Sequence, residues 1–378
     1  MANLVFSLSG EGRGHATRVR ALVEELRQRH DITVLAPGDA FDFLAPLYAS
    51  GDVRVREIPG LRFHYDARRR VDGWQTAVGA ARYARALPEL VTEIGRWLDA
   101  DPPDLVVTDF EPALPRAARR RGIPFVSVTH QHFLLTYDLS GLPPALRFHA
   151  AIMRCVVRAY YSGQQHSVVS SFYFPPLRRG CRNVSQVGVM LRPGLRQALP
   201  SRGDYLVAYL RRFAGSNVLA ALALTGRPVR IYGLGERPAE GRMTFHAVEE
   251  ERFIEDLAGC AALVATAGNQ LVGEALFLGK PCFVMPEGRN YEQFINAHFL
   301  AQTGAGTWME MERVTWEALR GFVRRLDDFA ARIDRRRLDG LPAALRALEG
   351  CLPAPTTATV GYRTGRADPV ELAPEPVS

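Results

Sequence analysis

Residues 263–306 read LVATAGNQLVGEALFLGKPCFVMPEGRNYEQFINAHFLAQTGAG. Leu263–Ala267 is an apolar run of strand length that stops at a glycine. A helical pattern starts at Asn269 and Gln270, with Leu271, Val272, Ala275 and Leu278 as its apolar face. Gly279 and Pro281 end it in the usual order. Cys282–Met285 is a second apolar strand, closed by Pro286, and another helix opens near Asn290 with Glu292 and Gln293 in its first turn. Two strand ends and two helix N-termini therefore converge on one edge. Helix N-termini carry free N–H groups and partial positive charge, which suit a diphosphate. Gln270 and Glu274 share the face opposite the apolar one. A carboxylate one turn inside a helix, as Glu274 is, can accept two hydroxyl hydrogen bonds from a ribose.

The same strand–turn–helix grammar runs outward in both directions. Asn3–Leu8 is a buried strand, Ser9–His15 a glycine-rich turn, Ala16–Arg29 a helix with Val19, Leu22, Val23 and Leu26 at helical spacing, and Ile32–Leu35 the next strand. A dinucleotide fingerprint is a poor fit. The spacing is not GxGxxG, and the second strand ends Leu35-Ala36-Pro37 without the acid that would bind a ribose. Asp104–Thr108 and Phe125–Thr129 are further strands, ending at Asp109-Phe110-Glu111-Pro112 and His130-Gln131-His132. Asp204–Leu210 restarts the alternation. The boundaries drawn are a first domain 1–185, a linker 186–203, a second domain 204–352 and a disordered Pro/Thr-rich tail 353–378.

Composition narrows the class. The 378 residues, 47% hydrophobic and 23% charged, are those of an ordinary globular protein with a length prior of two domains. No apolar run reaches membrane-spanning length and no signal peptide is evident, so a cytoplasmic enzyme is expected. Five scattered cysteines without metal spacing argue for a reducing compartment and against zinc. The net charge of +7 is uneven: residues 1–200 hold 26 basic and 18 acidic side chains, residues 201–378 hold 21 and 22. A basic first half suits an anionic partner such as a membrane surface. Nucleic acid is disfavoured, because aromatic patterning of the RNP kind is absent.

The ordered features Gly268, Glu274, Gly279-Lys280-Pro281, Pro286, Glu292-Gln293 and Asn296-Ala297 resemble the nucleotide-sugar site of GT-B glycosyltransferases, especially the MurG-like and UDP-glycosyltransferase-like group. The N-terminal GEGRGHATR and the later DFEP and GIPFVSVTHQH resemble one uncharacterised bacterial and archaeal branch of it. The resemblance implies an α/β GT-B fold, two Rossmann-like domains facing across a cleft. It also implies inverting, metal-independent transfer of a sugar from an NDP-sugar, UDP-linked in most of the group, to a hydroxyl acceptor. A lipid-linked, phosphorylated or cell-envelope acceptor at the inner membrane face fits that group. No cofactor is implied. Two departures stand out: Glu11-Gly12-Arg13 replaces a Gly-Thr-Gly run, and Gly273 precedes Glu274 where serine is common.

The resemblance distributes roles as follows. Gly268, Asn269 and Gln270 hold the diphosphate, Glu274 the ribose, and Glu292 and Gln293 the sugar hydroxyls. The base lies near residues 245–253. His15 is base or acceptor-positioner, since imidazole titrates near working pH and can take the acceptor's proton. Gly12, Arg13, Gly14 and Arg211 are candidate phosphate or cleft contacts. Asp109, His130 and His132 are candidates for the acceptor side, with Asp109 alternatively orienting His15. Two histidines one residue apart on an extended segment point to opposite sides, which disfavours a metal. The aromatic and arginine-rich segment 61–74 is a candidate acceptor loop. On the Leu146–Tyr161 helix, Arg147, Arg154 and Arg158 form a basic face for solvent or anionic lipid. A sugar-nucleotide epimerase or hydrolase of the same fold, or a non-catalytic basic binding module, are the competing readings.

Overall fold

The computed structural model describes residues 1–10, 13–61, 73–211 and 215–353. Gly12, most of the 61–74 segment and the tail from 354 onward lie outside them.

Seven strands, β1 (Asn3–Leu8), β2 (Asp31–Ala36), β3 (Val53–Glu57), β4 (Leu105–Asp109), β5 (Phe125–Thr129), β6 (His166–Ser170) and β7 (Val184–Val187), form the first sheet. All pair in parallel, in the order β3-β2-β1-β4-β5-β6-β7. The second sheet uses β8 (Leu206–Tyr209), β9 (Val229–Tyr232), β10 (Arg237–Glu240), β11 (Met243–His246), β12 (Ala262–Ala265), β13 (Cys282–Val284) and β14 (Gly306–Trp308), ordered β10-β11-β9-β8-β12-β13-β14. Among the described strands of this sheet, β10 and β11 pair antiparallel and the others in parallel. Helices cover both faces, so the central strands are mostly apolar and every residue of β4, β5 and β12 is buried, Thr108, Asp109, Ser127 and Thr129 included. The order reverses at β1/β4 and again at β8/β12, and each reversal opens a crevice beyond the strands' C-terminal ends.

The linker drawn from the sequence is shorter than expected. Val184–Val187 is the seventh strand of the first sheet, because its run hydrogen-bonds to β6. The chain then crosses once near Gly188–Val189 and returns near 337–340. The two crossings touch: Gly340 N–H donates to Val189 O at 2.9 Å. A side chain on Gly188 would meet the carbonyls of Arg337 and Leu338 at 2.3 Å, so the approach requires glycine. After the return, Leu341–Glu349 packs in the first domain's core through Leu341, Ala344 and Leu348. Assigning 204–352 wholly to the second domain therefore misplaces this helix.

A single core joins the domains behind the cleft. It includes Phe133, Tyr137 and Tyr173 from the first domain and Val272, Ile295 and Phe299 from the second. Tyr173 stacks on Phe299 at 4.2 Å, and His149 on Tyr291 at 3.4 Å. No helix among the described residues is long and apolar enough to cross a membrane.

Candidate active site

Both crevices open into one cleft of about 1980 Å³ between the domains. Its walls are the C-terminal strand ends and the turns that follow them. The cleft is narrow where the two helix starts meet: a β-carbon on Gly14 would lie 3.9 Å from that of Gln270.

On the first-domain wall, the Arg13–Leu26 helix carries His15 in its first turn. His15 lines the cleft, and its Nδ1 stands 3.0 Å from Asp109 Oδ1 at the end of β4. That contact lacks the alignment of a straight hydrogen bond, as catalytic pairs without substrate often do. With Nδ1 turned to Asp109, Nε2 is the nitrogen left for the cleft. Asp109 is 1% exposed and behind His15, so it touches the imidazole and not an acceptor. Arg18, one turn further along the same helix, donates from Nη1 to both Asp109 oxygens at 2.8 and 2.7 Å. Burial by itself would raise the Asp109 carboxyl, but Arg18 and His15 hold it below the ordinary carboxylate range.

Phe110 follows Asp109 with φ 58°, a left-handed conformation that costs a bulky residue roughly 1–3 kcal/mol. The turn aims three consecutive side chains differently. Asp109 goes to His15, while Glu111 caps the Ala113–Arg120 helix through the N–H groups of Ala113 and Leu114 at 2.6 and 2.9 Å. Phe110 goes to the cleft, where its ring stacks on Tyr160 at 4.4 Å and lies nearly parallel to His15 at 6.4 Å. Burial raises the Glu111 carboxyl despite those N–H donors.

On the second-domain wall, Gly268 precedes the Asn269–Phe277 helix, and Glu274 faces the cleft one turn in, 2% exposed. Gln270 Nε2 donates to Glu274 Oε1 at 2.9 Å and Arg192 Nη2 to Oε2 at 3.0 Å. An ionised carboxylate has about four acceptor positions, so two stay open for hydroxyls. Gly273 is explained by packing: a β-carbon there would sit 2.3 Å from Val189 Cγ1, against the crossing segment. Asn269 lines the cleft, but its side chain bridges to Ser170 O and Phe172 N–H in the first domain. Gln293 also spends its side chain locally, accepting from Glu287 N–H and donating to the Glu287 carboxylate, both at 2.9 Å. Glu292 accepts from Gln131 Nε2 across the cleft at 3.2 Å, and Arg211 donates to Glu287 at 3.3 Å.

Arg13 lines the cleft near the ring of Phe43. His130 lines it too, but both its nitrogens are engaged, by Ser170 O at 2.9 Å and Asn296 Oδ1 at 3.0 Å. Burial lowers its pKa. His132 must be removed from the acceptor side: it turns inward against Ser127, Ser167 and Tyr161, fully buried, and burial lowers its pKa to about 4. The segment is not extended here, contrary to the sequence expectation: β5 ends at Thr129 and His132 is the helical N-cap of the short Phe133–Thr136 helix, so the turn sends its ring to the core. In the region of residues 245–253, Val248 and Phe253 face the cleft, with Tyr209 beside Phe253. Sequence reasoning missed Arg18, Tyr160, Arg192 and Tyr209. Only Arg18 had a signal, one turn after a candidate base.

The fold and its shared cleft are those of a GT-B glycosyltransferase. The chain belongs to glycosyl transferase family 1, whose family model matches residues 2–327. No curated protein sequence matches it. Among solved structures it resembles the calicheamicin glycosyltransferase CalG4, with TM-score 0.66 at 18% identity over 93% of this chain and 98% of that one. It also resembles Arabidopsis thaliana UGT89C1 complexed with UDP-L-rhamnose, with TM-score 0.66 at 14% identity and the same coverage. LpCGTa in complex with UDP gives 0.64 at 20% identity, again over 93% and 98%. At these identities the likeness is one of fold.

Proposed function

We propose that the protein transfers a sugar from a UDP-sugar to a hydroxyl acceptor with inversion at the anomeric carbon. One observation carries the reading: Glu274 faces the cleft with acceptor capacity to spare, at a helix start opposite His15. The ribose hydroxyls donate to Glu274. The diphosphate lies on the free N–H groups at the start of the Asn269–Phe277 helix, and the base lies between Tyr209, Val248 and Phe253. UDP complexes of LpCGTa and UGT89C1, which share the fold, support a UDP donor.

On the acceptor side His15 Nε2 takes the hydroxyl proton as the oxygen attacks the anomeric carbon. The bond from that carbon to the diphosphate breaks, and UDP leaves with the electron pair. Asp109, kept ionised by Arg18, faces Nδ1 and stabilises the imidazolium that forms. Helix N–H groups, Arg13 and Arg211 meet the leaving-group charge, so the reading calls on no metal ion. We place this work in the cytoplasm at the inner membrane face, supported by five arginines and no acidic residue between 151 and 191.

Calorimetry with UDP tests the donor site. Hydrogen bonds to a charged group contribute about 1.5–3 kcal/mol each, so Glu274→Ala, with its melting temperature as a folding control, should bind UDP at least ~100-fold more weakly. Unchanged affinity would sink the assignment.

A further inference from the structure

The Pro144–Tyr160 helix has an apolar face that none of the described residues covers. Phe148, Ile152 and Val156 are 64%, 49% and 52% exposed. They are spaced by four, as is Tyr160 beyond them, so the four form one stripe along the helix. In an ordinary surface helix such a stripe faces the core; here Ala150 and Val157 do that instead. The sequence reading set these apolar residues mostly off the basic face; of that face Arg147 and Arg158 are exposed, while Arg154 is half-buried and donates to Leu134 O.

The stripe is continuous with the catalytic cleft. Val156 belongs to both, exposed on one side and lining the cleft on the other. Tyr160 closes the inner end by stacking on Phe110, whose strained backbone holds that ring beside His15. From Phe148 to Tyr160 the stripe runs 12 residues, about 18 Å at the helical rise. Among the described residues, those reaching the cleft from this helix and from the turn after β4 are Phe110, Glu111, Pro112, Met153, Val156, Val157 and Tyr160. None is a cation that would pair with a phosphate.

We propose that this stripe holds the body of the acceptor: a neutral, extended apolar alcohol whose hydroxyl reaches His15 and whose chain runs outward over Val156, Ile152 and Phe148. The proposal rests on the acceptor-side reading above and narrows it from any hydroxyl compound, phosphorylated ones included, to this class.

Binding of monomeric 1-hexanol and 1-decanol, measured by calorimetry on the full chain, tests it without requiring turnover. Each methylene buried raises affinity about fourfold at full burial. The wild type should bind decanol at least tenfold more tightly than hexanol. Phe148→Asn combined with Ile152→Asn changes only exposed positions; it should compress that ratio to under threefold and leave hexanol affinity unchanged. An equal ratio in both proteins, or no chain-length dependence in the wild type, overturns the track. So does binding to anionic phosphatidylglycerol vesicles with no binding of monomeric decanol, which makes the stripe a membrane face. UDP titrated into the same samples keeps the donor reading separate, since its affinity depends on Glu274 and not on the stripe.

Discussion

A histidine in the first turn of a helix is a weak signal alone. Here its neighbours give it a direction. Arg18 neutralises Asp109 from behind, Asp109 faces Nδ1, and the remaining nitrogen is left to the cleft. The cluster is built for proton transfer, because the carboxylate stays ionised in a buried place and can stabilise an imidazolium. General base catalysis contributes about 10²–10⁴-fold. His15→Ala should therefore lose transfer by that order in a UDP-sugar assay while binding UDP as the wild type does. Retained turnover would take His15 out of the mechanism. Loss of UDP affinity would instead make it a donor-binding residue.

Among the elements, the Asn269–Phe277 helix shows how a binding site and a fold share residues. Its start serves the cleft, its apolar residues Val272, Ala275 and Leu276 join the core spanning both domains, and Gly273 lets the crossing segment come close. The glycine that departs from the family pattern is thus a packing choice, not a donor contact. Gly273→Ser would drive its side chain into Val189. Overpacking costs about 1–3 kcal/mol, which should lower the midpoint of urea unfolding, and adding Val189→Ala should restore much of it. A wild-type midpoint in the single variant would show that the crossing segment yields freely. The turn after β4 repeats the logic: one strained residue lets Asp109, Phe110 and Glu111 serve a base, a cleft wall and a helix cap.

For the molecule as a whole, two domains of matching topology suggest independent folding units, yet the core says otherwise. Phe133, Tyr173, Val272 and Ile295 belong to one buried cluster, and the final helix returns to the first domain. Neither half completes its core without the other. Calorimetric unfolding should show one transition, with calorimetric and van't Hoff enthalpies equal. Two resolved transitions would refute the shared core as an energetic unit. UDP should shift that single transition upward by mass action.

The alternation of apolar runs with helical periodicity was enough, read locally, to place two sets of parallel strands, the glycine turn before Asn269 and the acid one turn in. These follow from hydrogen bonding and burial within a few residues, which leave a period of two or of 3.6 in the chain. The short strands Arg237–Glu240 and Gly306–Trp308 left no such period. Arg18 finds Asp109 across 91 residues and Arg192 finds Glu274 across 82. Those pairings, the inward turn of His132, the return of the last helix and the uncovered face of Pro144–Tyr160 depend on which surfaces meet after the chain has crossed between domains. Local pattern says that a side chain is apolar or charged; only the packed structure decides what stands opposite it.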